Sequence, residues 1–481
     1  MKILFAASEA APFAKTGGLA DVAGSLPPAL ASLGHEVVLV MPRYRQVDIA
    51  ANKLKRVATI YVPLGDWQER CDVLRGRTAG NVTVYFINKD IYFDRPDLYN
   101  SGQTDYPDNA ERFIYFSRSV LELCIALDFR PDIVHSNDWQ TGLVPLYLKR
   151  AYGSDAALRK AASVFTIHNL GYQGRFWHWD TRLIGLGWDV FKSDGIEFWG
   201  MINLLKAGIV FSDIVTTVST TYSREIRTPE YGYGLEGVLE KRAAELRGIV
   251  NGIDYRTYDP AKDRSLPVRY SAAAPEGKAA CKRALLERLG LPDRGAPLIG
   301  MVTRLADQKG LDLVAEALPR IMRLDAQCVI LGTGDDKYHR LLSQAADQHP
   351  GALRVLLEYN DALAKKIYAG CDLFLMPSRY EPCGLGQMIA QRYGAVPVVR
   401  NTGGLADTVV DYSTDPVNGT GFVFGEYTAA ALLDGIDRAL MVYENKVKWN
   451  RLIRHGMKQD FSWQHSAKEY IKVYREAMKK R

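Results

Sequence analysis

The residues with the clearest capacity for chemistry lie in a turn that follows a short apolar run at 373–376. The polar and glycine residues of this turn are Arg379, Glu381, Cys383, Gly384 and Gly386. A strand that ends in such a turn before a helix offers unpaired N–H groups and the positive end of the helix dipole to an anion. A carboxylate repels phosphate, so Glu381 is expected either to cap the helix or to face uncharged hydroxyls of the same ligand.

Six identical residues, Thr-Gly-Gly-Leu-Ala-Asp, occur twice, at 16–21 and at 402–407. Neither copy matches G-x-G-x-x-G, so a dinucleotide fingerprint is not indicated. Two glycines ahead of a helix allow a ligand to approach the backbone closely. The repeat therefore predicts two similar α/β halves, each presenting a glycine-rich turn to a shared cleft.

Apolar runs of strand length alternate with helical stretches along the chain. They lie at 3–7, 36–41, 82–87, 132–135, 163–167, 213–218, 297–302, 328–331, 353–357, 372–376, 396–399 and 421–424. Continuous apolarity with intervening helices predicts parallel sheets covered on both faces. The predicted fold class is α/β, with two Rossmann-like, doubly wound domains facing a central cleft and a boundary near residue 250. The apolar face of the closing helix must dock on one of them.

Polar, basic and aromatic residues follow several of these runs, at the strand ends where such sheets bind ligands. They are Lys15, Asp138, Trp139 and His168 in the first half, and Arg304, Lys309 and Tyr359 in the second. Two cations within one turn predict a diphosphate clamp in preference to surface ion pairs. His168 is a candidate for contact with sugar hydroxyls. Asp138 fits a helix cap, Trp139 fits packing or binding equally well, and Tyr359 fits either the core or a stacking role.

Composition excludes several classes of function. The chain has 481 residues, is 47% hydrophobic and 24% charged, and carries a net charge of +6, which falls short of a nucleic-acid footprint. No apolar run approaches a membrane span, and the first apolar run is too short for a signal peptide. The six cysteines show no CxxC spacing, so neither zinc nor disulfides are indicated. A cytoplasmic protein with no nucleic-acid or membrane partner is expected.

Six motifs resemble those of bacterial glycogen synthases and the related plant starch synthases. They are KTGGLAD at 15–21, HSNDWQ at 135–140, HNLGYQG at 168–174, NGID at 251–254, RLADQKG at 304–310 and EPCGL at 381–385. The resemblance implies a GT-B fold with domains 1–250, on the glucan acceptor side, and 251–459, on the nucleotide-sugar donor side. It also implies a closing helix, at about 460–481, that docks back on the first domain.

The implied reaction is transfer of glucose from ADP-glucose to the non-reducing 4-OH of an α-1,4-glucan such as glycogen, with retention at the anomeric carbon. The resemblance implies that the catalytic residues are Glu381, His168, Lys309, Arg304 and Asp138. It implies that the substrate-binding residues are Lys15, Gly18, Asp21, Trp139, Asn251, Tyr359, Cys383, Gly384, Leu385 and Gly386. Many related retaining enzymes carry a second Glu where this chain has Ile389, and Gln387 is a candidate for part of that role.

No cofactor or metal is expected, because the turns assigned to the phosphates carry cations and glycines and contain no Asp-x-Asp. Three other hypotheses remain open on the sequence. The first is a retaining transferase that uses UDP-glucose, and the second is a catalytically silent glucan- or nucleotide-binding protein. The third, an NAD-dependent oxidoreductase, lacks the fingerprint of its cofactor site.

Overall fold

The computed structural model describes residues 1–102 and 104–481, which divide into two compact units. The first unit consists of Met1–Ile249 and Trp463–Arg481, and the second of Val250–Ser462. Each unit is built around its own mainly parallel sheet.

Between residues 1 and 249 the described strands are β1 (Lys2–Ala6), β2 (Glu36–Pro42), β3 (Lys55–Leu64), β4 (Trp67–Arg77), β5 (Thr83–Asn88), β6 (Asn100–Ser101), β7 (Thr104–Asp105), β8 (Ile133–Asn137), β9 (Ala162–Ile167), β10 (Arg175–Trp177), β11 (Glu197–Phe198), β12 (Met201–Asn203), β13 (Ile214–Thr217) and β14 (Leu246–Gly248). The helices of the same segment are α1 (Gly18–Ser32), α2 (Asp90–Phe93), α3 (Asn109–Ala126), α4 (Val144–Arg150), α5 (Thr181–Ile184), α6 (Leu204–Phe211), α7 (Thr220–Glu225) and α8 (Glu236–Lys241).

Between residues 250 and 462 the strands are β15 (Leu298–Val302), β16 (Gln327–Leu331), β17 (Leu353–Leu356), β18 (Leu373–Met376), β19 (Val396–Arg400) and β20 (Phe422–Phe424). The helices are α9 (Gly277–Leu289), α10 (Leu311–Ile321), α11 (Asp336–Gln348), α12 (Asp361–Gly370), α13 (Gly386–Arg392), α14 (Gly403–Thr408), α15 (Ala429–Glu444) and α16 (Lys446–Lys458), and α17 (Trp463–Met478) follows. Short 3-10 helices lie at Trp139–Thr141, His178–Asp180, Trp188–Val190, Ala243–Glu245 and Asp307–Lys309.

The strand order of the first unit is β14-β13-β9-β8-β1-β2-β5-β4-β3. From β14 to β5 all neighbours are parallel, whereas β4 pairs antiparallel with both β5 and β3. The order reverses between β1 and β8, which makes the carboxyl ends of these two strands a topological switch point, the place where doubly wound sheets bind ligands.

The sheet of the second unit runs β17-β16-β15-β18-β19-β20, with every pair parallel. In sequence order this is 3-2-1-4-5-6, the order of a dinucleotide-binding Rossmann fold, and the switch point lies between β15 and β18. The predicted fold class, α/β with two Rossmann-like domains, is confirmed. Each of the twelve apolar runs corresponds to a strand of one of the two large sheets.

Three antiparallel features among the described residues were not predicted, the smallest of which is the pair β6–β7. The hairpin of β3 and β4 alternates buried and exposed residues in place of a continuous apolar run, because it extends the sheet at one edge and keeps a face in solvent. A separate small sheet, in the order β10-β12-β11, has strands of two or three residues, too short to leave a periodic signal.

The last helix, α17, packs against α1, β9 and β13 of the first unit. Its Tyr474 is fully buried, and the hydroxyl lies 2.8 Å from Nδ1 of His135 on β8. The other ring nitrogen of His135 lies 2.6 Å from Oγ1 of Thr166, and burial lowers the pKa of His135 to about 3. The neutral imidazole therefore joins the closing helix to the centre of the sheet. No helix among the described residues is both long and apolar enough to cross a membrane.

We predict that Tyr474→Phe lowers the free energy of unfolding by about 1–3 kcal/mol, because it leaves the buried Nδ1 of His135 without its partner while preserving the packing volume. Thermal unfolding measures the effect. Tyr61→Phe, at an exposed position on β3, is the matched control. Equal melting temperatures for the two variants would contradict the role of this hydrogen bond in docking α17.

Candidate functional site

The loops that follow β15 and β18 meet at the switch point of the second unit. Nζ of Lys309, on the first loop, lies 2.9 Å and 2.7 Å from Oε1 and Oε2 of Glu381, on the second loop. Oγ of Ser378 donates a further hydrogen bond of 3.0 Å to Oε2. Both charged side chains are largely buried, at 17% and 7% exposure, so solvent screens this ion pair weakly.

Gly310 allows the first loop to approach the second. Its φ of +72° lies in the left-handed region, and a Cβ at this position would be 2.0 Å from the carbonyl oxygen of Pro377. The backbone N–H of Arg379 donates to the carbonyl oxygen of Gln308 at 2.9 Å, which joins the loops a second time. The chain thus requires glycine here in order to place Lys309 beside Glu381.

Arg304 begins the same loop and is exposed. Its Nη2 donates to Oε1 of Gln308 at 3.2 Å, and within the part of the chain that the structure describes it has no carboxylate partner. The positive charge of Arg304 is therefore available to an anionic ligand, whereas that of Lys309 is offset by Glu381.

The turn ahead of α13 is fixed by Gln387, which is fully buried. Its Nε2 donates to the carbonyl oxygens of Cys383, at 3.1 Å, and Gly384, at 3.0 Å, and to Oγ1 of Thr408, at 3.0 Å. Gln387 is thus a positioning residue for this turn. Ile389, at the place of the family's second Glu, is buried on the same helix. The helix begins at Gly386.

The remaining residues predicted for this turn differ in accessibility. Gly384, Leu385 and Gly386 are partly exposed, whereas Cys383 is buried and burial raises the pKa of its thiol to about 12. The backbone N–H of Asn251 donates to the sulfur of Cys383, which places residue 251 beside the turn. Among the described residues, Oδ1 of Asn251 is buried and has no hydrogen-bond partner, so it remains as an acceptor for a ligand.

The second Thr-Gly-Gly-Leu-Ala-Asp copy packs under this turn. A Cβ on Gly403 would lie 1.9 Å from the carbonyl oxygen of Glu381, and one on Gly404 would lie 2.1 Å from that of Cys383. Both glycines are buried. The close approach that requires glycine in this copy is therefore to the chain's own backbone, so these two glycines do not by themselves indicate contact with a ligand.

The first copy is different, because a Cβ on Gly17 or Gly18 would have no heavy atom within 4 Å. Neither packing nor a positive φ requires glycine at these positions, and the space that a side chain would fill is open to a ligand. Nζ of Lys15 lies 2.8 Å from Oδ1 of Asp21 across the same turn, and both side chains are partly exposed.

A buried carboxylate, Glu9, holds this turn in place, and its role was not predicted from the sequence. It accepts hydrogen bonds from the backbone N–H groups of Thr16 and Gly17 and from Oγ1 of Thr16. Burial raises the pKa of Glu9, and these donors act in the opposite direction. The sequence feature that could have indicated this role is a carboxylate just after an apolar strand, eight residues before a pair of glycines.

Asp138 follows β8 on the other side of the first unit's switch point. It adopts φ +55°, which is strained for a residue other than glycine, and Oδ1 accepts the backbone N–H of His168 at 2.7 Å. Burial raises the pKa of Asp138 from 3.8 to about 7. The nearby charge of Glu9 also raises this pKa, whereas hydrogen bonds from the N–H groups of His168 and Asn169 lower it.

The side chain of His168 has a defined tautomer. Nδ2 of Asn137 donates to the carbonyl oxygen of Ala6 at 3.0 Å, which turns Oδ1 of Asn137 toward Nε2 of His168 at 2.9 Å. Nε2 therefore carries the proton, and burial lowers the pKa of His168 to about 3, so the ring is neutral near pH 7. Nδ1 is left as an acceptor suited to a hydroxyl group.

The two aromatic candidates have different environments. Trp139 is buried, lies 4.8 Å from the ring of Phe113 and 5.6 Å from that of Phe176, and fills the space that a side chain on Gly174 would need. Its assignment to substrate binding is corrected to core packing. Tyr359 is 72% exposed on the loop after β17, which fits a stacking role better than a core role.

The structure thus brings most of the predicted site residues together in two groups, one at each switch point. Tyr359 lies apart, after the edge strand β17, and Trp139 lies in the core of the first unit. The described residues contain no group of three or more His, Cys, Asp or Glu side chains arranged to hold a metal ion. The loops after β15 and β18 provide two cations and the buried carboxylate of Glu381. The first unit provides the buried carboxylates of Glu9 and Asp138 and the neutral imidazole of His168.

Two family models match the chain, the starch synthase catalytic domain over residues 2–241 and the glycosyl transferases group 1 over residues 287–455. Curated relatives named glycogen synthase include that of Geotalea uraniireducens, 48% identical over 479 residues, and that of Anaeromyxobacter dehalogenans, 49% identical over 481 residues. Each alignment covers 99% of this chain and 99% of the relative.

Among solved structures, the catalytic domain of starch synthase IV from Arabidopsis thaliana bound to ADP and acarbose matches with a TM-score of 0.91 and 36% identity, covering 99% of both chains. Sucrose-phosphate synthase from Thermosynechococcus elongatus matches with a TM-score of 0.61 and 16% identity, covering 99% of this chain and 98% of that one. The second match shows a common fold. The resemblance inferred from the six motifs is confirmed.

We predict that Asp138→Asn stabilises the protein more at pH 8 than at pH 5. Because the folded-state pKa is raised, the protonated form is favoured on folding, and the wild type loses stability as pH rises from about 4 through about 7. Asparagine does not ionise and keeps an oxygen to accept the N–H of His168. Thermal unfolding at both pH values should show a melting-temperature difference between variant and wild type that grows by at least ~2 °C toward pH 8. A difference independent of pH would contradict the assignment.

Proposed function

Since this chain belongs to the glycogen synthase family of glycosyltransferases, we propose that it transfers glucose from ADP-glucose to the non-reducing 4-OH of an α-1,4-glucan, with retention at the anomeric carbon. The observation that carries the proposal is the pair of cations on one loop at the switch point of the second unit, with Glu381 beside Lys309. The starch synthase IV structure, which holds ADP and acarbose, supports a nucleotide donor and an oligosaccharide acceptor.

In the proposed donor site, Arg304 and Lys309 bind the diphosphate, aided by the amides of Leu385 and Gly386. Cleavage of the bond between C1 of glucose and the phosphate oxygen places negative charge on ADP and positive charge on the sugar. Fixed cations stabilise the departing diphosphate without reorganising, which is the largest contribution that a preorganised site makes. Tyr359 stacks on the adenine ring in this proposal.

Glu381 has two proposed tasks. It accepts hydrogen bonds from glucose hydroxyls, and it holds the Lys309 ammonium in place by the ion pair already described. Asn251, whose Oδ1 is unpartnered among the described residues, is a second proposed acceptor for the sugar.

The first unit is proposed to serve the same reaction. Neutral His168 accepts a glucose hydroxyl at Nδ1, Asp138 fixes the backbone of His168, and Lys15 with the open Gly18 amide contributes to donor binding. The acceptor 4-OH attacks C1 from the face that the phosphate leaves, and the departing phosphate oxygen takes the hydroxyl proton. No side chain acts as a nucleophile in this proposal.

The proposal is tested by incubating the protein with glycogen and ADP-glucose, UDP-glucose or GDP-glucose in turn, and scoring nucleotide release and glucan elongation. We expect ADP-glucose to be the preferred donor. Preference for UDP-glucose would favour the rival transferase, and absence of turnover with every donor would favour a silent binding protein.

We predict that Glu381→Ala lowers kcat by about a hundredfold or more, comparable to the loss of one preorganised catalytic group. The same change removes the charge that offsets Lys309, so ADP affinity should be retained or increased. Steady-state kinetics and calorimetric ADP titration measure the two effects. Glu381→Gln, which keeps the hydrogen-bonding shape, is the control and should lose less. Near-normal turnover in a folded Glu381→Ala protein would return Glu381 to a structural role.

We predict that glucosyl transfer continues in excess EDTA, because the leaving group is stabilised by Arg304 and Lys309 in this proposal. Lys309→Ala should be severely impaired whether or not Mg²⁺ is added. Initial rates with and without chelator measure this. Activity that chelation abolishes and Mg²⁺ or Mn²⁺ restores would contradict the proposed cation clamp.

A further inference from the structure

A cleft of about 350 Å³ lies in the second unit, lined by residues of α9 and α12 and by the segment at 265–267. We call it the α9–α12 cleft. Binding sites for small molecules occupy cavities from ~300 Å³ upward, so this cleft has room for one. Its lining includes none of the residues assigned to the candidate functional site.

The floor of the α9–α12 cleft is apolar. Leu266, Cys281 and Leu285 line it, and all three are buried. Sγ of Cys281 donates to the carbonyl oxygen of Val268 at 3.3 Å, and burial raises the pKa of this thiol, so it is neutral near pH 7. The floor therefore offers a packing surface to an apolar group and carries no charge.

Two cations lie at the rim of the cleft. Arg288, in the last turn of α9, is exposed, and Lys366, within α12, is partly exposed. Neither side chain has a carboxylate partner among residues 1–102 and 104–481. A cation in the last turn of a helix is stabilised by the helix dipole, which accounts for Arg288 alone. Lys366 lies outside the last turn of α12, so the dipole does not explain a second unpaired cation in the same cleft.

The other two lysines of α9 have structural partners. Nζ of Lys278 donates to three backbone carbonyl oxygens, the nearest of which is that of Ala369, at 2.9 Å. Nζ of Lys282 lies 2.6 Å from Oδ2 of Asp372, just before β18. These contacts hold α9 against the end of α12 and the start of β18. The charges of Arg288 and Lys366 take no part in them and remain available.

The carboxylate nearest in sequence to the lining segment is already occupied. Oδ1 of Asp263 accepts the backbone N–H and Oγ of Ser265, at 2.9 Å and 2.7 Å, and Oδ2 accepts the hydroxyl of Tyr393 at 2.7 Å. The described lining contains no carboxylate, whereas the exposed side chains of Arg264 and Arg269 flank the segment. The surroundings of the cleft are therefore positively charged, which attracts anions.

An apolar floor below two unpaired cations matches an organic anion. The planar guanidinium group binds a carboxylate or a phosphate through paired hydrogen bonds, and an ammonium group adds a second charge. A neutral sugar would leave both charges unused. A nucleic acid is far larger than a cleft of about 350 Å³.

We propose that the α9–α12 cleft binds a small organic anion, with its ring or hydrocarbon body on Leu266 and Leu285 and one carboxylate or phosphate group between Arg288 and Lys366. Leu285 lies beside Gly370, the last residue of α12, just before β18 begins. Glu381 follows the opposite end of β18, so this site is separate from the proposed donor site. The assignment does not depend on glucosyl transfer, because no residue of the donor site takes part in it.

The test is an NMR titration of the full chain with phenyl phosphate and with phenylacetate. Benzyl alcohol, which lacks the charge, and inorganic phosphate, which lacks the apolar body, are the control ligands. ADP is present throughout, well below a millimolar, so that the proposed donor site is filled. We expect dissociation constants on the order of a millimolar for at least one organic anion, and at least roughly tenfold weaker binding of both control ligands.

Variants locate the binding. Arg288→Ala and Lys366→Ala should each bind the organic anion roughly three- to tenfold more weakly, because each loses one charge-assisted hydrogen bond at a partly solvated site. Arg283→Ala is the matched control, since it removes an exposed arginine of the same helix that does not line the cleft, and its affinity should be unchanged. A crystal structure with phenyl phosphate should show the ring against Leu266 and Leu285.

Several results would overturn the proposal. Equal affinity of wild type, Arg288→Ala and Lys366→Ala would show that the two cations hold no anion. Benzyl alcohol or inorganic phosphate bound as tightly as the organic anions would reject the need for both charge and apolar body, and a probe found only outside the cleft would reject the site. Failure to bind ADP or to transfer glucose, with anion binding to the cleft intact, would reject the proposed function alone.

Discussion

The ion pair between Lys309 and Glu381 is the interaction on which the second unit's candidate site depends. It connects the loops after β15 and β18, which are adjacent strands at the switch point of the sheet. Removing one member of a buried pair leaves an uncompensated charge, at a cost of about 3–5 kcal/mol. Two residues 72 positions apart in sequence therefore constrain each other. This arrangement requires glycine at position 310, since any side chain there would collide with Pro377.

The charge balance of that loop explains a difference between its two cations. Lys309 is neutralised by Glu381, whereas exposed Arg304 has a hydrogen bond to Gln308 and no carboxylate partner among the described residues. An incoming anion therefore meets one available positive charge and one that is shared with a carboxylate. Under the proposed function, this carboxylate limits how tightly the product diphosphate is held, which favours its release after transfer.

Much of the fold could be predicted because a parallel strand covered on both faces leaves a continuous apolar run, as at 163–167 and 396–399. The β3–β4 hairpin was not predicted because its residues alternate between buried and exposed. The small sheet of β10, β11 and β12 was not predicted because its strands are too short to show a pattern. The repeated Thr-Gly-Gly-Leu-Ala-Asp sequence predicted two related halves. It did not predict that the two copies have different surroundings. The same glycines face open space in one copy and the backbone of Glu381 in the other, a distinction that depends on tertiary contacts.

The sequence predicted which residues belong to the candidate site better than it predicted which residues they contact. Strand ends and motifs indicated Glu381, Lys309, Arg304, His168 and Asp138, yet the burial that makes His168 neutral and raises the pKa of Asp138 depends on neighbours distant in sequence. The role of Glu9 in holding the first glycine turn was not predicted for the same reason, since two of the groups that it accepts from are backbone N–H groups, which residue types do not reveal. Trp139 could have been either a binding or a packing residue, and its contacts with Phe113 and Phe176 decide for packing.

In the proposed function, the loop carrying Arg304 and Lys309 binds the diphosphate of the donor. A crystal structure of the full chain with ADP is the direct test. Phosphate oxygens should lie within about 3 Å of the Arg304 guanidinium and the Lys309 ammonium, at the carboxyl ends of β15 and β18. ADP bound with its phosphates out of reach of both side chains would show that this loop is not the diphosphate site.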